Sequence, residues 1–314
     1  MYERFFYLTE KPFHITPDPH FLYMSGSHAE AIDLLLYGIK EKKGFILLTG
    51  EVGTGKTTLC RALLGKLDKK TESALILNPI VSDHELLKTI ISDFGITVDK
   101  DTVKEHLDKL NEFLLRIASN KGRALVIIDE AQNLSETTLE MVRLLSNLET
   151  EKDKLLQIVL VGQPELLGKL ALPELRQLNQ RIIVRCSLSP LPLADTPAYI
   201  QTRLFAAGGK GTVQFTQEAI AAIHYRSLGV PRMINIICDR AMTAAFVAEK
   251  RMVDERHVTD ALAELEKEGY VPFIPDRLIP AYERYMPHIA LSILVVGFVA
   301  GVIWGPPVFQ KLKL

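Results

Sequence analysis

Gly50-Glu51-Val52-Gly53-Thr54-Gly55-Lys56-Thr57 follows the apolar run Phe45-Ile46-Leu47-Leu48 and leads into Thr58-Leu59-Cys60. The octet has the form G-x-x-x-x-G-K-[ST]. Its flanks supply the required frame, a short buried strand before it and a helix over about 57–67 after it. Glycines at Gly50, Gly53 and Gly55 let the backbone of Glu51, Val52 and Thr54 wrap a phosphate chain. The N–H groups then point inward at the positive end of a helix. Lys56 is placed to reach the β- and γ-phosphates and the Thr57 hydroxyl to ligate Mg²⁺, while Thr58 packs or caps beside them. A glycine turn without a ligand is the competing reading, and the complete motif in its strand–turn–helix frame argues against it. The chain is expected to bind a nucleoside triphosphate.

Downstream, Ala124-Leu125-Val126-Ile127-Ile128-Asp129-Glu130 reads as a fully buried central strand with two acids at its carboxyl edge, where ligands sit in an open parallel sheet. Asp129 is expected to hold the Mg²⁺ shell and Glu130 to polarise the water that attacks the γ-phosphate. Taken alone, such a pair is equally a solvated turn; about seventy residues after a phosphate loop it carries meaning. A further buried strand over 155–161 ends in Gly162-Gln163-Pro164. Gln163 either orients the lytic water or caps the turn before Pro164. Arg176-Gln177-Leu178-Asn179-Gln180-Arg181 precedes a last strand over 182–187. Arg181 is the first candidate for an arginine acting on a neighbouring subunit's γ-phosphate, with Arg176 and Arg185 behind it. A surface arginine paired with an acid is the alternative.

The rest of the chain frames these motifs. Its 314 residues allow roughly two domains, and a net charge of −1 argues against a protein-wide basic field for nucleic acid. The three cysteines, Cys60, Cys186 and Cys238, fit no zinc spacing and read as small buried hydrophobes. Residues 1–31 look like an ordered arm anchored by Phe5, Phe6, Phe13, Phe21 and Tyr23, and a helix follows over about 28–41. Residues 73–78 form the second strand, and Ser82 with Glu85 opens a helix as a capping box. Helices over 100–120 and 135–148 flank the sheet. Beyond Ser189-Pro190-Leu191-Pro192 the pattern is helical, with elements over about 197–206, 216–227, 232–248 and 255–267 and no convincing strand. In Gly229-Val230-Pro231-Arg232, Pro231 suits a helix first turn, so Arg232 projects from an N-terminal end where it can read phosphates.

The expected organisation is therefore an arm and helix (1–43), an α/β domain with a parallel sheet flanked by helices (44–190), and a small all-helical lid (191–267). A linker (268–287), a transmembrane helix (288–309) and a short tail (310–314) complete it. The run Ile289-Ala290-Leu291-Ser292-Ile293-Leu294-Val295-Val296-Gly297-Phe298-Val299-Ala300-Gly301-Val302-Ile303-Trp304 is uncharged and apolar all round, with Tyr285 and Trp304 at its ends. The body before it must stay where ATP is, which puts the ATPase domain in the cytoplasm on a single-pass inner-membrane anchor.

GEVGTGKTT, VIIDEAQNL, LVGQPEL, LNQR and GVPRMIN, in this order and at these separations, resemble the AAA+ ATPases. Within them the chain is similar to the general-secretion A ATPases and the related pilus and exopolysaccharide ATPases, whose opening segment matches Pro12-Phe13, Thr16-Pro17-Asp18-Pro19, Phe21-Leu22-Tyr23 and His28-x-Glu30. The resemblance covers about residues 1–267. It implies that Lys56 and Thr57 belong to Walker A, Asp129 and Glu130 to Walker B, Gln163 to sensor 1, Arg232 to sensor 2, and that Arg181 is the finger. It implies ATP and Mg²⁺ as ligands, self-association, and a partner protein in an envelope export system, with nucleic acid not expected. The arm is expected to contribute to the adenine pocket. Sensor 1 is more often Asn, Thr or Ser. The secretion members carry a peptidoglycan-binding domain after their membrane helix, and this sequence stops within about ten residues of it, so direct cell-wall remodelling is not expected. Gly297 and Gly301 offer a close-packing face for a membrane partner. Two other readings stand beside this one: a DNA-associated ATPase of the transposition-helper type, and a scaffold that binds ATP without turning it over.

Overall fold

The apolar runs pair side by side. In the computed structural model, which describes residues 2–77, 79, 82–149 and 154–269, they form a five-stranded parallel sheet. Its strands are β1 (Phe45–Gly50), β2 (Thr71–Ile76), β3 (Arg123–Ile128), β4 (Leu156–Gly162) and β5 (Ile182–Leu188), in the order β2-β3-β4-β1-β5. Every residue of β1 and β4 is buried, which is why these strands read as unbroken hydrophobic runs rather than alternating ones. Alternation is still present, but it sorts apolar residues between two covered faces. Phe45, Leu47, Val126, Ile158 and Leu160 face α3 (Asp83–Asp93), α4 (Val103–Ser119) and α5 (Glu136–Leu145). Ile46, Leu48, Leu125, Ile127 and Val159 face α1 (Gly26–Lys40) and α2 (Lys56–Leu64). Each large aliphatic side chain buried this way contributes about 1.5–3 kcal/mol.

The chain leaves β1 for the edge strand β2, returns through β3 and β4, and then crosses to β5 on the other side of β1. The strand order thus reverses between β1 and β4. A crevice at the carboxyl ends of the strands is the expected ligand position at such a reversal.

Helix starts follow the chemistry of their first residues. Ser82 accepts from the Glu85 N–H while the Glu85 carboxylate accepts from the Ser82 N–H at 2.9 Å, completing the expected capping box of α3. Two six-residue helices that the sequence pattern did not reveal, α6 (Glu165–Leu170) and α7 (Arg176–Arg181), connect β4 to β5. They are too short to show a helical period.

Helices α8 (Thr196–Ala206), α9 (Gln217–Ser227), α10 (Pro231–Val247) and α11 (Glu255–Lys267) follow the sheet, close to the expected spans. The all-helical expectation for this region needs one correction. β6 (Gln214–Phe215) and β7 (Met252–Val253) form a two-stranded parallel pair between the helices. Two residues are too few for an alternating pattern, and their partners lie 38 positions apart, so only the fold shows the pairing.

The arm has one short 3₁₀ turn (Pro19–Phe21) and otherwise runs irregularly. Phe6, Phe13 and Phe21 are fully buried anchors, whereas Phe5 and Tyr23 are half-buried. The described residues up to Ala261 form one compact unit, and those from Leu262 on belong to a second. The expected transmembrane helix (288–309) and tail, and nearly all of the linker, lie outside the described residues. Among the described residues no helix is long and apolar enough to cross a membrane.

Candidate nucleotide-binding site

The tips of three adjacent strands meet at the reversal: β1 delivers the glycine loop, β4 delivers Gln163, and β3 delivers Asp129 and Glu130. Gly53 and Gly55 sit at φ +81° and +98°, left-handed conformations that L side chains rarely adopt. A Cβ on Gly53 would also lie 2.6 Å from the Cβ of Arg232. The loop is thus a backbone cradle with no room for a side chain at Gly53, and it ends on the N-terminus of α2, which begins at Lys56.

Lys56 is buried, and its ammonium donates to the carbonyls of Gly50 at 2.8 Å and Glu51 at 3.0 Å. Burial lowers the Lys56 pKa, while the carboxylates of Glu130, Asp129 and Glu51 oppose that shift. The Thr57 hydroxyl donates to Asp129, whose other oxygen accepts from the Glu130 N–H at 2.9 Å. Burial raises the Asp129 pKa, offset by those two hydrogen bonds. A hydroxyl and a carboxylate joined at one point are a hard-oxygen donor set, and that chemistry fits Mg²⁺.

Glu130 is a non-glycine residue at φ 53°, ψ 37°. Left-handed strain of this kind costs on the order of 1–3 kcal/mol and persists where surrounding contacts enforce it. The contacts are visible. Glu130 Oε2 accepts from the amide of Gln163 at 3.1 Å and from the amide of Gln132. Gln132 Oε1 in turn accepts from the Gln163 N–H at 3.1 Å, and Lys169 on α6 donates to the carbonyls of Gln132 and Leu134, both at 2.7 Å. Gln163 therefore grips the Glu130 carboxylate directly, a contact that neither of its expected roles included. Sequence reasoning missed Gln132 entirely, although it stands two residues after Glu130 in Asp129-Glu130-Ala131-Gln132.

Arg232 enters from the start of α10, and its backbone N–H donates to the Gly53 carbonyl at 3.1 Å. Its side chain lines the same cleft as Val52 to Thr58 and Glu130. The opposite wall comes from the arm and α8: Ile15, Pro17, Leu22, Tyr23, Tyr199 and Arg203. Arg203 is buried at 7% exposure and donates to the carbonyls of Pro12 at 2.6 Å and His14 at 2.9 Å. Its guanidinium also lies over the Phe21 ring, 4.9 Å from the centroid. His28, buried in α1, meets the Thr54 carbonyl at 3.1 Å through Nε2 and Ser25 Oγ at 2.6 Å through Nδ1. It braces the phosphate loop from behind. Neither residue was foreseen; His28 stands in the opening match as one letter among several.

Arg181 is not brought to this cleft. It precedes β5, whose first residue pairs with Phe45 at the start of β1, while the phosphate loop leaves the other end. Six residues at about 3.3 Å each separate the two by roughly 17–20 Å. Its guanidinium donates to Ser146 Oγ at 2.9 Å and Asn147 Oδ1 at 2.6 Å, beyond the end of α5. Arg185 donates to Asn179, and Arg176 is exposed on α7.

Comparison with known proteins agrees with this geometry. Residues 39–170 match the family model described as AAA domain. General secretion pathway protein A of Aeromonas hydrophila is 49% identical over 247 residues, 78% of this chain, and this chain spans 45% of that protein's length. Among solved structures, the ORC2 protein of Aeropyrum pernix in ADPNP–ADP complexes matches with TM-score 0.62 at 16% identity, over 85% of this chain and 73% of that one. The RuvB Holliday junction branch migration motor of Thermotoga maritima matches with TM-score 0.51 at 18% identity, over 75% and 69%. At these identities the structural matches speak for the fold alone.

Proposed function

Because this chain belongs to the AAA+ ATPases, in the group of general secretion pathway protein A, we propose that it hydrolyses Mg·ATP to drive assembly or operation of a bacterial envelope export system. The observation that carries the hydrolytic part is the strained Glu130, held by two glutamine amides at the strand tip next to the phosphate loop. Lys56 and the loop N–H groups bind the phosphate chain. Thr57 and Asp129 would hold Mg²⁺, which would supply positive charge to offset that developing on the phosphates. Glu130 accepts the proton of the attacking water, while Gln163 and Gln132 fix the direction of its carboxylate. Arg232 reads the phosphates from the helical region, and the apolar arm wall receives the adenine.

Arg181 acts in trans. Too far from its own cleft, it is offered at the edge strand β5 to a neighbouring copy, so the working form is a homo-oligomer. The apolar run over 288–309 anchors the ATPase to the inner membrane as a single span, with the catalytic body in the cytoplasm and a partner of the export machine bound in or near the membrane. The secretory role rests on the relative's name and on sequence similarity.

The test is steady-state ATP hydrolysis by the full chain across a wide protein concentration range, with and without duplex DNA. Specific activity that rises with concentration and ignores DNA is the expected outcome. Stimulation by DNA would favour the transposition-helper reading, and binding without turnover would favour the scaffold.

A further inference from the structure

Outside the nucleotide cleft, His84 on the first turn of α3, Asp101 just before α4, and His106 on its first turn converge. His84 Nε2 lies 3.2 Å from Asp101 Oδ1 and 3.3 Å from His106 Nδ1. His106 is fully buried, and its Nε2 has no hydrogen-bond partner; Asp101 Oδ1 is 3.7 Å away.

Protons alone do not satisfy this arrangement. If His84 Nε2 carries the proton, it serves one acceptor, Asp101 or His106 Nδ1. The neutral His106 is then an Nε2–H tautomer whose buried donor reaches nothing. If His106 carries its proton on Nδ1 and donates to His84, the bare His84 Nε2 faces the Asp101 carboxylate, and His106 Nε2 is a buried lone pair without a donor. Each arrangement leaves the buried His106 Nε2 unsatisfied, which costs stability. A cation bound through His84 Nε2, Asp101 Oδ1 and His106 Nε2 gives the buried Nε2 lone pair a partner and relieves the lone-pair contact between His84 and Asp101, with the His106 proton on Nδ1.

Two separations in that donor set, 3.2 Å from His84 Nε2 and 3.7 Å from His106 Nε2 to Asp101 Oδ1, lie near those around a bound ion, and all three donors fall within 4.8 Å of one another. Ligands bound at 2.0–2.1 Å in a tetrahedron are separated by about 3.3–3.4 Å. Lys88 donates to Asp101 Oδ2 at 2.7 Å, so the carboxylate keeps Oδ1 for the ion. That bond from Lys88 is also the leading reason the Asp101 carboxyl is held below its ordinary value. Two imidazoles with one carboxylate favour a zinc-like divalent transition ion over Mg²⁺ or Ca²⁺, which prefer all-oxygen shells.

We propose that His84, Asp101 and His106 form a zinc-type metal site that staples the start of α3 to the start of α4. Three protein ligands leave the fourth position to water or to a group from a partner. The site is separate from the Thr57–Asp129 cation position and does not depend on ATP.

The experiment uses the untagged full chain, stripped of metal and held in excess Mg²⁺ so that the phosphate-loop position is saturated. Zn²⁺ is titrated against a chromophoric chelator, and Co²⁺ replaces it for a visible spectrum. One tightly held equivalent is expected, with the cobalt bands of a low-coordinate site containing imidazole. His84→Ala and Asp101→Asn, both at partly exposed positions, should each weaken Zn²⁺ about 10–100-fold, whereas Asp129→Asn should bind it as the parent does. Absence of a Zn²⁺ equivalent in excess Mg²⁺, or equal binding by parent, His84→Ala and Asp101→Asn, would overturn the assignment. His106→Ala is less useful, because the fully buried ring also packs the core.

Discussion

The two walls of the nucleotide cleft are built in opposite ways. The phosphate wall, Gly50 to Thr58, is a single unbroken stretch whose loop is held by bonds spanning three to six residues, such as Thr54 to Glu51 and Lys56 to Gly50. The opposite wall is assembled from segments nearly two hundred residues apart, with Arg203 donating to Pro12 and His14 across 191 and 189 positions. The first wall is local backbone chemistry, the second long-range packing around one buried guanidinium. The comparison teaches that the phosphate loop takes its shape from a short segment and is only braced from outside by His28 and Arg232, whereas the facing wall exists only when the arm has folded onto α8.

Variants at each wall test this difference, beginning with the largest effect. Glu130→Gln should retain ATP but lose turnover by about 10²–10⁴-fold, because the general base is gone and the loop is untouched. Measured equilibrium binding and single-turnover hydrolysis check it; parental turnover would remove Glu130 from the base role. Arg203→Ala should act quite differently, destabilising the protein by about 2–4 kcal/mol in urea unfolding by leaving two buried carbonyls without donors. Nucleotide contacts to the phosphates should persist in whatever fraction stays folded. A neutral result would mean that the arm holds its place without that bond.

Gln132→Ala sharpens the phosphate side. It should lower kcat about tenfold with little change in KM, since it removes one charge-assisted bond to Glu130 and no substrate contact. Arg232→Ala should instead weaken ATP more than ADP, by about tenfold or less, if its reach is to the γ-phosphate. The smallest effect concerns pH. Burial places the Asp129 pKa above its unfolded value, so the folded protein takes up that proton first as pH falls. The penalty for the buried charge is fully present above the folded pKa and disappears on acidification through it. Mg²⁺-dependent nucleotide binding should therefore fade at a pH above the ordinary aspartate range. In the absence of Mg²⁺, Asp129→Asn should unfold at higher urea near neutral pH, and a flat profile in both experiments would contradict the assigned shift.

The same contrast explains what was legible in the sequence. Sheet strands buried on both faces announce themselves as Phe45-Ile46-Leu47-Leu48 and Leu125-Val126-Ile127-Ile128, and their tips meet in one cleft, so the positions of Lys56, Thr57, Asp129 and Glu130 are readable. Gln132 was not, because its role depends on the left-handed turn at Glu130, which no local propensity favours. Arg203 was not, because a helical arginine looks the same whether it meets water or the carbonyls of a distant arm. The pair β6–β7 was hidden by brevity. His84, Asp101 and His106 share no metal-ligand spacing in sequence; only the packing of α3 against α4 brings them within 4.8 Å.

In the proposed mechanism Arg181 serves a neighbour's cleft while Glu130 serves its own. Arg181→Ala and Glu130→Gln chains should each be nearly inactive alone, and ATP turnover should be measured as the two are mixed. Turnover that rises well above the sum of the separate proteins, because intact clefts now meet intact arginines, is the predicted result. Turnover equal to that sum at every ratio, with mixed oligomers confirmed by cross-linking, would contradict it.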